Sequence, residues 1–89
     1  MARYMIADLV STVPDHLVYL IQKGDDEHGD TDPQEVWIPI DKNGDYCGDG
    51  HVVTVSGEKP WSGTRVMFGK LVSMRRKRGE WPRKAAFQS

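Results

Sequence analysis

The hydrophobic positions of the first 25 residues fall into two runs separated by a turn signal. Residues 3–13 are rich in Tyr, Ile, Leu, Val and Thr, and residues 16–23 form a compact β-branched and aromatic run. Pro14 and Asp15 lie between the runs, and proline favours a turn and cannot serve a central ladder. This pattern predicts two strands joined as a β-hairpin.

Two further strands are predicted after an acidic segment. Residues 35–40 combine Val, Trp and Ile with Pro39, whose missing N–H places that end at a sheet edge or a bulge. Residues 51–56 are the fourth candidate, and residues 43–44 (Asn-Gly) between the two runs favour a tight turn. Trp37 lies in the middle of its strand, and we expect it to be the principal aromatic side chain of the core; the alternative is an exposed Trp37 that marks a binding face.

Residues 64–73 decide whether the sheet closes. Under a period of two, Val66, Phe68 and Lys70 fall on one face, and Gly69 would cost a helix about 1 kcal/mol, so we expect a fifth strand rather than a helix. Five short strands at this length predict a mainly β fold, a small antiparallel barrel or curled sheet of SH3-like or OB-like character.

The length and composition agree with a small β domain. Of the 89 residues, 38 % are hydrophobic and 28 % are charged, an ordinary balance that argues against disorder throughout the chain. We predict one domain over residues 1–73 and a basic C-terminal tail over residues 74–89, of which residues 79–89 are expected to be loosely held. The longest apolar run, Leu17 to Ile21, is too short to span a bilayer, and a single cysteine favours a reduced, cytoplasmic setting.

The formal net charge of −1 conceals two regions of opposite sign. Residues 1–62 carry twelve of the thirteen acidic residues and four of the twelve basic residues, whereas residues 63–89 carry eight basic residues and Glu80 alone. A uniformly basic or uniformly acidic surface is therefore excluded, and two opposed patches are expected.

A basic cluster in the second region predicts contact with nucleic acid. Lysine and arginine neutralise phosphates and release condensed counterions, and an interleaved tryptophan can stack on an unpaired base. The alternatives are contact with a protein and a solvated segment with no specific role. The predicted nucleic-acid-binding residues are Lys70, Arg75, Arg76, Lys77, Arg78, Trp81, Arg83 and Lys84.

An acidic segment before the third strand is a candidate protein-contact site. Its carboxylates can occupy a basic groove on a partner, although a hydrated loop that keeps the protein soluble is the simpler interpretation. The candidate protein-contact residues are Asp25, Asp26, Glu27, Asp30, Asp32 and, in a turn beside a proline, Trp61.

We predict no catalytic residues, no metal ligands and no cofactor. Residues 41–52 half-match a calcium-binding loop, but Tyr46 and Val52 occupy the positions that need glycine and glutamate. Cys47 and His51 lack a third, orienting group, and one cysteine with three histidines at these spacings does not make a structural zinc site. A binding protein is therefore favoured over an enzyme.

One motif of the β region resembles that of a group of small phage and bacterial β-barrel proteins. The motif is Glu35-Val-Trp-Ile-Pro39, followed by a polar stretch and a short strand, Val52-Val-Thr-Val55, that runs to Trp61. The group carries V-W-[IL]-P-K-S, and this chain departs from it at Ile40-Asp41. The resemblance covers residues 3–61. It implies a small β-rich fold and a mobile-element origin, and it brings no catalytic residues.

These observations predict a non-enzymatic accessory binding protein of phage type, located in the host cytoplasm, that contacts nucleic acid through phosphates with little base-specific readout. One alternative is a small inhibitor or adaptor that binds a host protein. The other is a structural or virion assembly component that oligomerises through an exposed strand edge. No membrane contact is predicted, and the sequence leaves the oligomeric state open.

Overall fold

The structure is a computed structural model that describes residues 3–25, 29–30 and 33–88. Its elements are, in chain order, β1 (Arg3–Val13), β2 (His16–Asp25), β3 (Gly29–Asp30), β4 (Gln34–Pro39), β5 (Val53–Thr54), α1 (Ser62–Arg78) and β6 (Lys84–Gln88). β1 and β2 pair antiparallel across the Pro14-Asp15 turn, which confirms the predicted hairpin. β4 confirms the predicted third strand, and it ends at Pro39.

Five strands form an antiparallel sheet in the order β5-β4-β2-β1-β6, and the short β3 pairs with the end of β2. β5 and β6 are the outer strands at opposite edges, and within the described residues they do not pair with each other. The predicted mainly β class is confirmed, whereas the predicted closure into an SH3-like or OB-like barrel is wrong. The sheet stays open because the segment expected to close it is helical.

The strand predicted over residues 64–73 is wrong, because this segment lies inside α1. Phe68 is buried and Val66 is 52 % exposed, so the two do not share a face as strand alternation requires. Burial of a stripe at helical spacing outweighs the modest helix cost of Gly69. The buried residues of α1 are Thr64, Met67, Phe68, Leu71 and Val72.

The chain after α1 returns to the sheet. β6 pairs antiparallel with residues 4–8 of β1, and Ala85 is buried in the core. The structure thus places residues 74–78 of the expected C-terminal tail in α1 and residues 84–88 in an outer strand. This return satisfies backbone groups along an edge of β1 that would otherwise lack partners.

The core lies between α1 and one face of the sheet. Tyr19 is its fully buried aromatic residue. Trp37, which was expected in this place, is instead 42 % exposed, because β4 buries its neighbours Val36 and Ile38 and strand alternation turns Trp37 to the opposite face. The core residues are Met5, Ala7, Leu17, Tyr19, Ile21, Val36, Ile38, Met67, Phe68, Leu71, Val72 and Ala85.

The turn predicted at residues 43–44 is confirmed. The carboxylate of Asp41 accepts hydrogen bonds from the backbone N–H groups of Asn43 at 2.8 Å and Asp45 at 3.0 Å. Gly44 has a φ of 84°, a left-handed conformation that favours glycine. The result is a compact turn that lies within reach of the C-terminal end of α1.

The fourth predicted strand is shorter than its sequence pattern indicates. Only Val53 and Thr54 pair with β4, at Trp37 and Val36, whereas residues 51–56 were expected to form the strand. The buried Thr54 hydroxyl donates to the carbonyl of Glu58 at 2.5 Å, and this turn ends the pairing.

Candidate functional site

The outer side of α1 carries a cluster of cations. The helix contains six lysine and arginine residues and no aspartate or glutamate. Five of the six are exposed, and Arg65 among them was missed by the sequence analysis because it belongs to the cluster only when this segment is helical. We call these five residues the basic helix surface: Arg65, Lys70, Arg76, Lys77 and Arg78.

The basic helix surface is long and narrow. With a rise of about 1.5 Å per residue, Arg65 and Lys77 are about 18 Å apart along the helix axis. The helical period places Arg65 and Arg76 on one flank and Lys70 and Lys77 on the other. These four cations therefore form two rows along the side of α1 that faces away from the sheet, and Arg78 is exposed at the C-terminal end of the helix.

Gln34 fixes the N-terminal end of α1 on the sheet. Its buried side-chain oxygen accepts hydrogen bonds from the Thr64 hydroxyl at 2.8 Å and from the backbone N–H of Trp61 at 3.2 Å. Its amide nitrogen donates to the carbonyl of Lys59 at 3.0 Å. Since every polar atom of this buried side chain is bonded, the start of the helix, and with it Arg65, has a defined position.

Arg75 has a different role from the other residues of the basic run. It lies on the buried side of the last turns of α1, and its guanidinium group donates to three backbone carbonyls and forms an ion pair with Asp45 at 3.0 Å. The carbonyls belong to Asn43 at 3.1 Å, Gly44 at 3.2 Å and Gly79. Arg75 therefore joins the turn after β4 to the C-terminal end of the helix.

Trp81 reinforces the same junction. Its indole N–H donates to the Gly44 carbonyl at 2.6 Å, and the ring is half-buried against the core. An indole held in this way has one polar atom already bonded and part of its surface covered. The structure therefore gives Trp81 contacts within the fold, and it places Arg75 and Trp81 together.

The last two predicted cations lie away from the basic helix surface. Arg83 and Lys84 are exposed where the chain enters β6, and the Arg83 carbonyl accepts the backbone N–H of Leu9 at 2.8 Å. The Lys84 ammonium lies 3.9 Å from the Asp8 carboxylate. The structure thus divides the predicted nucleic-acid-binding residues into a helix group, a buried junction and a sheet-edge pair.

The acidic candidates are described only in part. Asp25 ends β2 and pairs with Gly29, and Asp30 ends β3, whereas Asp26, Glu27 and Asp32 lie outside the described residues. Their companion Trp61 is half-buried at the N-cap of α1. The ammonium of Lys23 lies 4.4 Å from the centre of the Trp61 ring, within the range of a cation–π contact.

A second surface, the sheet face opposite α1, carries exposed apolar side chains. Its β2 and β4 strands place Val18 beside Trp37, and β5 adds Val53 on the other side of Trp37. The rings of Trp37 and His16 are 4.8 Å apart between centres and tilted by 39°. We call this surface the open sheet face.

The described residues offer little for catalysis or metal binding. They contain no group of three or more His, Cys, Asp and Glu placed to hold a metal ion. Asp41, the first residue of the calcium-like segment, uses its carboxylate within the turn, and Cys47 is exposed with a free thiol.

Comparison of the chain with protein-family models, with curated proteins and with solved structures finds no match. The only helix in the described residues is α1, and it is too short and too polar to cross a bilayer.

Proposed function

We propose that the protein binds nucleic acid through the basic helix surface, by neutralising backbone phosphates with little base-specific readout. The observation that carries the proposal is the composition of α1, which presents five exposed cations, four of them along about 18 Å, and contains no acidic residue. Duplex DNA carries one phosphate charge per about 1.7 Å of axis, so this length faces about ten phosphates.

The shape of the surface supports backbone contact rather than base recognition. Four of the five cations lie in two rows on a helix whose opposite side is buried, so α1 can lie along a phosphate track without leaving the sheet. α1 contains no asparagine or glutamine, the side chains that pair bidentately with adenine, and we assign its arginines and lysines to phosphates. Arg75 and Trp81 are left out of the proposed interface because they bind within the fold.

A salt series tests the proposal. We expect a fluorescein-labelled 20-base-pair duplex to bind with a dissociation constant in the micromolar range at physiological salt, as measured by fluorescence anisotropy. If four to five cations contact phosphates, the slope of log affinity against log salt is about −4, a loss of about 250-fold between 50 and 200 mM salt. No binding at 50 mM, or affinity independent of salt, overturns the proposal.

A matched pair of charge reversals locates the interface. The double variant Arg76→Glu with Lys77→Glu lies on the basic helix surface, and the control Lys42→Glu with Lys59→Glu makes the same change in net charge at exposed positions outside α1. We expect the helix variant to weaken binding at least 30-fold, and the control less than threefold. Equal losses would indicate attraction by net charge alone and would contradict the assigned surface.

A further inference from the structure

We infer that the open sheet face binds a protein segment that inserts an arginine side chain between Trp37 and Asp15. The site is a shallow cleft of about 240 Å³ at the end of the β1–β2 hairpin, lined by Asp15, His16, Trp37, Pro39 and Val53. It lies on the side of the sheet away from α1, so it is separate from the basic helix surface.

The exposed apolar residues of this face lack a partner layer in the described chain. Trp37 is 42 % exposed and Val53 is 52 % exposed, although both lie in paired strands and Trp37 pairs with the buried Val18. Antiparallel sheets that face water usually place polar side chains outward. An exposed tryptophan and an exposed valine side by side on the outer face instead indicate a surface that binds another molecule.

The charges around the cleft select a cationic ligand. The Asp15 side chain is 85 % exposed, and one of its carboxylate oxygens bonds the His16 ring at 2.8 Å, which holds the carboxylate beside Trp37. Glu35 is exposed on the same face, and the Lys84 ammonium lies next to Asp8. The residues that line the cleft include a carboxylate and no lysine or arginine.

An arginine side chain fits this chemistry better than a lysine or a nucleobase. A guanidinium group is planar, weakly hydrated and able to stack on an indole while it pairs with a carboxylate. Pro39 and Val53 provide aliphatic walls for its methylene groups. A nucleotide would bring its phosphate towards Asp15 and Glu35, where charge repulsion opposes binding.

A peptide titration tests this inference on the full-length protein. The probe is acetyl-Val-Arg-Val-amide, and the control probe carries citrulline, the neutral analogue of arginine, at the central position. Binding is followed by ¹H–¹⁵N NMR spectra of labelled protein. We expect the arginine peptide to shift the Trp37 indole and Val53 amide signals in a saturable way, with at least fivefold tighter binding than the citrulline peptide.

Two variants assign the contacts. We expect Asp15→Asn and Trp37→Ala each to weaken the arginine peptide at least fivefold, and Asp49→Asn, an equal charge change on an exposed loop outside the cleft, to leave the affinity within twofold. Circular dichroism checks that each variant folds. If Trp37→Ala does not fold, the affinity of Asp15→Asn still tests the proposed contact.

Several outcomes would overturn the inference. They are equal binding of the citrulline peptide, an unaffected Asp15→Asn variant, and signal changes confined to other surfaces. Binding of an octathymidylate at the Trp37 signals would identify the face as a nucleic-acid surface instead. Concentration-dependent shifts of the same signals without peptide would identify a second copy of this chain as the occupant. None of these results depends on whether the basic helix surface binds nucleic acid.

Discussion

Tyr19 connects the centre of the core to the chain between α1 and β6. Its side chain is fully buried, and its hydroxyl donates to the Pro82 carbonyl at 2.5 Å. Because burial disfavours the ionised phenolate, the pKa of Tyr19 is raised from 10.0 to about 12. The unfolded chain therefore loses this proton near pH 10, whereas the folded protein keeps it until about pH 12.

This difference predicts a loss of stability in alkali. Between pH 10 and pH 12 the unfolded state binds fewer protons than the folded state, so the free energy of unfolding falls, by up to about 2–3 kcal/mol from this group. Urea unfolding at successive pH values measures the fall. We expect Tyr19→Phe to be less stable at neutral pH by about 1 kcal/mol, because a hydrogen bond is lost. We also expect its free energy of unfolding to lack the decrease between pH 10 and pH 12 that Tyr19 causes. An identical alkaline profile in both proteins would contradict this assignment.

Trp37 shows which part of the core could be predicted from the sequence. Strand alternation alone places Trp37 and its neighbours Val36 and Ile38 on opposite faces, but the face that becomes the core depends on where α1 packs. Since the sequence analysis made residues 64–73 a strand, it had no helix to cover one face. Because Trp37 is larger than Val36 or Ile38, its face was predicted to be buried, and this prediction was wrong.

At the level of elements, Arg75 and Arg76 are adjacent in sequence and opposite in environment. Arg75 bonds the turn at Gly44 and pairs with Asp45, whereas Arg76 is exposed on the basic helix surface. We expect Arg75→Ala to lower the free energy of unfolding by about 2–3 kcal/mol, because it removes the charged hydrogen bonds and the ion pair that join the turn to the helix. Arg76→Ala makes the same charge change, and we expect an effect within about 0.5 kcal/mol.

Urea unfolding followed by tryptophan fluorescence measures both variants, and nucleic-acid affinity provides the second readout. We expect Arg76→Ala to weaken duplex binding at unchanged stability. If Arg75→Ala is as stable as Arg76→Ala, the junction described here does not hold the end of α1. The four-residue basic run thus consists of one structural residue and three exposed residues. The sequence distinguishes them only when the segment is known to be helical.

The outer strand β6 gives a second matched pair. Ala85 faces the core and is 6 % exposed, and its neighbour Ala86 is exposed on the other face. We expect Ala85→Asp to destabilise the protein by more than about 3 kcal/mol, because it places an unpaired charge among apolar side chains. We expect Ala86→Asp to cost less than about 1 kcal/mol. Thermal unfolding measures the difference, and equal small effects would indicate a loosely held tail after all.

Elements specified by adjacent residues could be predicted from the sequence, whereas elements that depend on packing against distant segments could not. The hairpin around Pro14 and the turn at Asp41 were predictable because a few adjacent residues specify each of them. α1 was not, since four consecutive cations and Gly69 blur its apolar stripe and its stability comes from packing on a sheet far away in sequence. β6 was missed for the same reason, because its partner β1 lies at the other end of the chain.

On the scale of the whole molecule, the two proposed surfaces lie on opposite sides of one sheet. α1 and the basic helix surface form one layer, and the cleft at Trp37 lies on the uncovered side of the other. The proposed helix interface carries exposed cations, whereas Asp15 and Glu35 lie on the open sheet face. One protein of this shape can join a polyanion on one side to a cationic protein segment on the other.

The layering predicts that the two ligands bind together. With the Debye length near 8 Å at physiological salt, a peptide on the open sheet face is screened from phosphates on the far side of α1. We therefore expect the affinity for the 20-base-pair duplex to change less than twofold when acetyl-Val-Arg-Val-amide is saturating, as measured by anisotropy. The variants should separate in the same way: Trp37→Ala keeps duplex affinity, and Arg76→Glu with Lys77→Glu keeps peptide affinity. Competition between the ligands would mean that they share a surface, and the division of the molecule into two binding layers would be wrong.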